Sequence, residues 1–122
     1  MEPKDKVIVI TGGGGGIGSS MARAFLREGA QAVVISDLDN ATLEVCADAL
    51  GCDWRVCDVT DESQVKGLVD YVISEYGRVD VYCSNAGAAG SNSGVLTDAG
   101  NEVWQKQWDL HVMAHVYASR AL

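Results

Sequence analysis

Apolar positions follow two alternating periods along this chain. Val7-Ile8-Val9-Ile10 is an unbroken, mostly β-branched run, the pattern of a strand buried on both faces. After a glycine-rich stretch, Met21, Ala22, Phe25 and Leu26 fall at helical spacing, and Gly29 is a natural stop, so a helix is predicted over about Gly16–Glu28. The couplet then repeats. Ala32–Ser36 is a second strand, followed by a helix from about Asn40 to Leu50 with Leu43, Cys46, Ala47 and Leu50 on one face and Gly51 at its end. A short strand around Asp53–Cys57 precedes a helix capped by Thr60 or Asp61. Val65, Leu68, Val69, Val72 and Ile73 form its apolar face, and Gly77 stops it. Val79–Cys83 is the fourth strand. Ala86–Asn101, rich in Gly, Ser and Ala, reads as a loop, and a last helix runs from about Glu102 to the end.

The order βαβαβαβα predicts an α/β fold: a Rossmann-type, doubly wound parallel sheet, partial, with strand order 3-2-1-4 and helices on both faces. The whole of 1–122 is expected to be one nucleotide-binding domain. Its switch point lies between the first and fourth strands, and a ligand is expected beyond their C-terminal ends. The glycine loop, Asp37, Asp58 and Asn85 all fall on that edge.

Composition narrows the partners. Nine basic against seventeen acidic residues give a net charge of −8, which disfavours nucleic acid and anionic membranes. The first six residues carry no apolar signal core, and no apolar run reaches membrane-spanning length. Cys46, Cys52, Cys57 and Cys83 have no CxxC spacing, so reduced thiols in a cytoplasmic protein are expected.

Strand, glycine loop and helix in succession give the run Thr11–Gly18 its meaning. Glycines let the backbone turn sharply and let a pyrophosphate approach bare N–H groups at the positive end of a helix dipole. Asp37 ends the second strand nineteen positions past Gly18. A carboxylate there would accept the ribose 2′-hydroxyl of NAD and repel the 2′-phosphate of NADP, so NAD is preferred. The alternative is that Asp37 only starts a turn with Asp39 and Asn40. Asn85 either lies near the nicotinamide-side ribose and ties loops together, or is a plain turn residue before Gly87.

The chain resembles the N-terminal, cofactor-binding half of a short-chain dehydrogenase/reductase. Thr11-Gly12-x-x-x-Gly16-Ile17-Gly18 is similar to that family's TGxxxGIG motif. Cys57-Asp58-Val59-Thr60 resembles its strand-three D-V motif, which implies an adenine contact for Asp58, unless Asp58 only caps the following helix. Ser84-Asn85-Ala86-Gly87 is similar to its NNAG motif, with Ser in place of the first Asn. The resemblance implies cofactor contacts at Gly12, Gly16, Ile17, Gly18, Asp37, Asp58, Val59, Asn85, Ala86 and Gly87. It also implies a small-molecule alcohol or carbonyl substrate and, for a complete enzyme, a homo-oligomer.

Two departures matter. The family places a catalytic Asn seven residues after a helix-opening Trp; counted from Trp108, His115 stands there. His115 could hold water in a proton relay or be a packing histidine. Together with His111, at i and i+4, it could also contribute to a metal site, but further ligands are not visible and none is expected. The family's Ser and its Tyr-x-x-x-Lys pair would lie beyond residue 122, and no tyrosine of this sequence is followed by such a lysine. The leading expectation is the cofactor-binding portion of an NAD-dependent oxidoreductase, inactive alone. The alternative is a non-catalytic NAD-binding or NAD-sensing module. An uncovered fourth strand and a helix stripe of Trp104, Trp108, Val112 and Val116 are expected surfaces of association.

Overall fold

The β-branched run becomes β1 (Val7–Thr11), all five residues buried, because it lies between two strands and two helix layers. A computed structural model of the chain describes residues 1–89 and 98–122. β1 pairs in parallel with β2 (Ala32–Asp37) on one side and β4 (Val81–Cys83) on the other, and β2 pairs with β3 (Asp53–Val56). The order is β3-β2-β1-β4, the doubly wound arrangement the element order predicts.

Alternation along the strands separates two cores. Ile8, Ile10, Val33 and Ile35 pack with Ala22 of α1 (Gly16–Arg27) and with Leu43 and Ala47 of α2 (Asn40–Leu50). Val7, Val9 and Val34 pack with Val65, Leu68 and Val72 of α3 (Glu62–Tyr76) and with Ala114 and Ala118 of α5 (Ala114–Ala121). Asp39 caps α2 by accepting from Thr42 N at 3.3 Å. Of the two expected caps for α3, Asp61 serves, accepting from Ser63 N at 2.9 Å and Gln64 N at 3.3 Å.

Three elements differ from expectation. Ile73 is 45% exposed rather than core. At 3.6 residues per turn it lies about 90° from the centre of the Val65–Leu68–Val69–Val72 stripe. The fourth strand begins at Val81 rather than Val79. Asp80 N still donates to Val7 O at 2.9 Å, but Val7 N is bound by the Asp80 carboxylate at 2.8 Å, so a side chain replaces the ladder acceptor. The last helix is not regular: α4 (Asn101–Trp108) passes through a π-helical turn, Asp109–Met113, before α5. Half of the loop expected over Ala86–Asn101, residues 90–97, lies outside the described residues, and Asn101 already belongs to α4.

Trp104 and Trp108 are 50% and 54% exposed, while the small Ala114 and Ala118 carry the packing onto α3. No helix among the described residues is long and apolar enough to cross a membrane. Replacing Leu68, 3% exposed, with Ala is expected to cost about 2–5 kcal/mol. Ile73→Ala should cost under about 1 kcal/mol. Urea unfolding of the two variants checks the contrast.

Candidate functional site

At the C-terminal end of β1 the chain turns through glycines directly into α1. Gly15, the residue before the helix, offers no side-chain cap, and the first turn carries no acidic residue. α2 and α3 differ, each being capped by an aspartate. The first-turn N–H groups of α1 therefore lack the carboxylate partner its neighbours have. Gly18 is required for close packing: a Cβ there would overlap the Gly12 carbonyl and stand 2.8 Å from Gly13 Cα.

The second strand holds this loop. Gly13 N donates to Ser36 O at 2.9 Å, and Gly14 N donates to Asp37 Oδ2 at 3.0 Å. The other carboxylate oxygen of Asp37 accepts from Leu38 N at 2.8 Å. Asp37 thus joins the end of β2 to the glycine loop, and the turn-and-cap role belongs to Asp39. Asp58 does not cap α3. Its Oδ1 closes the turn after β3, accepting from Thr60 N at 2.9 Å and Thr60 Oγ1 at 2.7 Å.

The fourth-strand loop is tied to β1 by Thr11, 1% exposed. Its Oγ1 accepts from Asn85 N and Ala86 N, both at 3.1 Å, and donates to Cys83 O at 3.3 Å. Asn85 Nδ2 donates to Thr11 O at 3.0 Å and Gly12 O at 3.4 Å. Beyond it, His111 of the π-helical turn packs against the loop. Its Nε2 is 3.1 Å from Ala88 O, and a Cβ on Gly87 would stand 2.9 Å from His111 Cε1.

These segments surround an open cavity of about 680 Å³, within the range of small-molecule sites. Gly12, Gly16, Ile17 and Gly18 line one side, and Asp37 and Asp58 with Val59 another. Asn85, Ala86 and Gly87 line a third. The structure thus brings ten of the eleven expected site residues to one place. His115 is not among them: its side chain is exposed on α5, where its backbone carbonyl accepts from Ser119 Oγ at 2.8 Å.

Sequence reasoning missed four groups of this site. Thr11 was visible in the motif, but its clasp depends on where β4 ends. Leu38 follows directly from Asp37. Lys106, Gln107, Asp109 and Leu110 reach the cavity from α4 and the π-helical turn. No sequence pattern signals them, since their approach depends on how the last helix crosses the sheet. His111 is the fourth, brought to the loop by the same turn.

Among the described residues the lining offers binding groups: open backbone N–H groups, carboxylates and an amide. Burial pushes the Cys57 thiol up to about 11, so it stays protonated near neutrality. Tyr71 and Tyr76 lie elsewhere, both hydroxyls donating to Asp53 at the start of β3. Among the described residues no group of three or more His, Cys, Asp or Glu could hold a metal ion.

The parallel sheet of order β3-β2-β1-β4 with alternating helices defines a doubly wound, Rossmann-like α/β protein. More narrowly, the chain belongs to the short-chain dehydrogenase family, whose model matches residues 6–122. It is 42% identical over 96 residues to a mitochondrial (−)-isopiperitenol/(−)-carveol dehydrogenase of Mentha piperita. It is 41% identical over 96 residues to a (+)-cis,cis-nepetalactol synthase of Nepeta racemosa. Each match covers 76% of this chain but 36% of the relative, so the chain spans little more than a third of their length. The crystal structure of a short-chain dehydrogenase/reductase from Burkholderia phymatum in complex with NAD superposes with a TM-score of 0.91 at 28% identity. That match covers 99% of this chain and 44% of the other.

Gly87→Ala is expected to destabilise the protein by about 1 kcal/mol, because the new methyl pushes the imidazole off Ala88 O. The cost should shrink in a His111→Ala background. A double-mutant cycle in urea measures that coupling.

Proposed function

We propose that these residues bind NAD as the cofactor-binding portion of a short-chain oxidoreductase that moves hydride between an alcohol and a carbonyl. The observation that carries this reading is the open start of α1 facing a cavity flanked by Asp37. Pyrophosphate would rest on the N–H groups of Gly16, Ile17 and Gly18, with Gly12 shaping the turn. Asp37 would accept from the adenosine ribose hydroxyls, and a 2′-phosphate would meet its negative charge. Asp58 and Val59 would border the adenine, and Asn85, Ala86 and Gly87 the nicotinamide-side ribose. The bound nicotinamide supplies the hydride chemistry. The NAD complex of the Burkholderia phymatum protein supports the choice of cofactor class.

Alcohol–carbonyl interconversion also moves a proton. Among the described residues no tyrosine or histidine lines the cavity, so in this reading the proton-transfer group comes from outside residues 1–122. His111 takes the structural position next to the cofactor loop. The family's seven-residue step, counted from Trp104 instead of Trp108, reaches it. We therefore assign that position to His111 and not to His115. The second reading, an NAD-binding module without turnover, is favoured by the same engagement of Tyr71 and Tyr76 with Asp53.

Fluorescence titration is expected to give NADH an affinity about tenfold or more above that of NADPH. Asp37→Asn keeps an acceptor for Gly14 N and should narrow that ratio. Equal binding of the two cofactors by the unaltered protein would remove Asp37 from the ribose site. The 122 residues alone are expected to show no hydride transfer with an alcohol and ketone panel. Turnover by them would favour the oxidoreductase reading over the binding module and place a proton donor within these residues.

A further inference from the structure

Lys106 is the one Lys or Arg among the described residues lining the cavity, in a protein of net charge −8. Three carboxylates share that lining, and each is already held by neutral donors. Asp37 takes the Gly14 and Leu38 amides, Asp58 takes Thr60, and Asp109 Oδ1 accepts from Gln105 Nε2 at 2.8 Å. No ion pair among the described residues includes Lys106. Lys106 is an exposed residue of α4 without such a pair, and it lines the same cavity as the uncapped start of α1.

We propose that Lys106 is an anion-binding residue of this site, closing from α4 onto the pyrophosphate that the α1 N-terminus receives from the other side. The inference rests on the dinucleotide reading above and adds a residue to it. A helix N-terminus supplies about half a unit of positive charge, whereas a dinucleotide pyrophosphate carries two negative charges. Three aspartates in the same lining add to the deficit. A flexible lysine offsets it without imposing the fixed fork geometry of an arginine. It also gives the acidic protein a local field that favours an approaching anion.

The test compares the unaltered protein with Lys106→Gln and Lys106→Arg in titrations with NADH, NADPH, ADP-ribose and adenosine at low and high salt. Lys106→Gln is expected to weaken NADH, NADPH and ADP-ribose alike by about five- to tenfold at low salt. Adenosine, which has no phosphate, should be unaffected. Lys106→Arg should retain most of the affinity, and the salt dependence of ADP-ribose binding should flatten in Lys106→Gln. Unchanged NADH affinity in Lys106→Gln overturns the Lys106 assignment and leaves the cofactor reading standing. A loss confined to NADPH overturns the pyrophosphate assignment, because it would put the ammonium at the 2′-phosphate. Failure of the unaltered protein to bind NADH overturns both.

Discussion

β1 has only one free direction. It is hydrogen-bonded to β2 on one edge and β4 on the other, and covered by α1 and α2 on one face and α3 and α5 on the other. Its side chains must therefore be apolar up to Ile10, and the chain can leave the sheet only at the C-terminal end. There the crossovers diverge, one toward α1 and the other, from β4, toward the opposite layer. The crevice between them is a consequence of this divergence. Thr11, still buried at the last position of β1, stops the two loops from drifting apart by binding both amides at the end of β4.

The electrostatics of the crevice follow from which helix ends are satisfied internally. α2 and α3 have aspartate caps, so their positive ends are matched within the chain. α1 is left open by a run of glycines, and no side chain of Gly15 can close over it. In a protein with seventeen acidic residues this is a local exception. An open helix terminus beside aspartates held through neutral donors is the feature on which the proposed dinucleotide reading rests.

Strand order, helix limits and the glycine and aspartate side of the site were legible in sequence because short-range rules set them. Val7–Ile10 and Val33–Ile35 are β-branched, Gly51 and Gly77 stop helices in the left-handed region, and Asp37 sits at a strand end. The far side of the site was not legible. A helical pattern assumes 3.6 residues per turn, and the π-helical turn at Asp109–Met113 breaks that phase. His111 and His115 read as neighbours on one face, yet His111 meets the Ala88 carbonyl and His115 stands exposed. Lys106 was invisible for a related reason. Its place in the cavity depends on the crossing of α4 over the sheet, which no local spacing encodes.

Asp37 joins the glycine loop to the end of β2. The oxygen that accepts from Gly14 N also limits how far the glycine loop can move from β2, and a Cβ on Gly14 would already stand 3.1 Å from it. A neutral, shorter side chain at position 37 would remove the charge that opposes a 2′-phosphate and would also free the Gly14 amide. In the proposed NAD complex, cofactor preference and loop position would then be two readouts of one carboxylate. Asn keeps the acceptor and removes the charge, which separates them; Ala removes both and cannot. On the opposite wall Thr11 and Asn85 make their hydrogen bonds to backbone within the chain, and Asn85 lines the cavity beside Ala86 and Gly87. The wall at β2 is held to the glycine loop through Asp37, and the wall at β4 is held to β1 through Thr11 and Asn85.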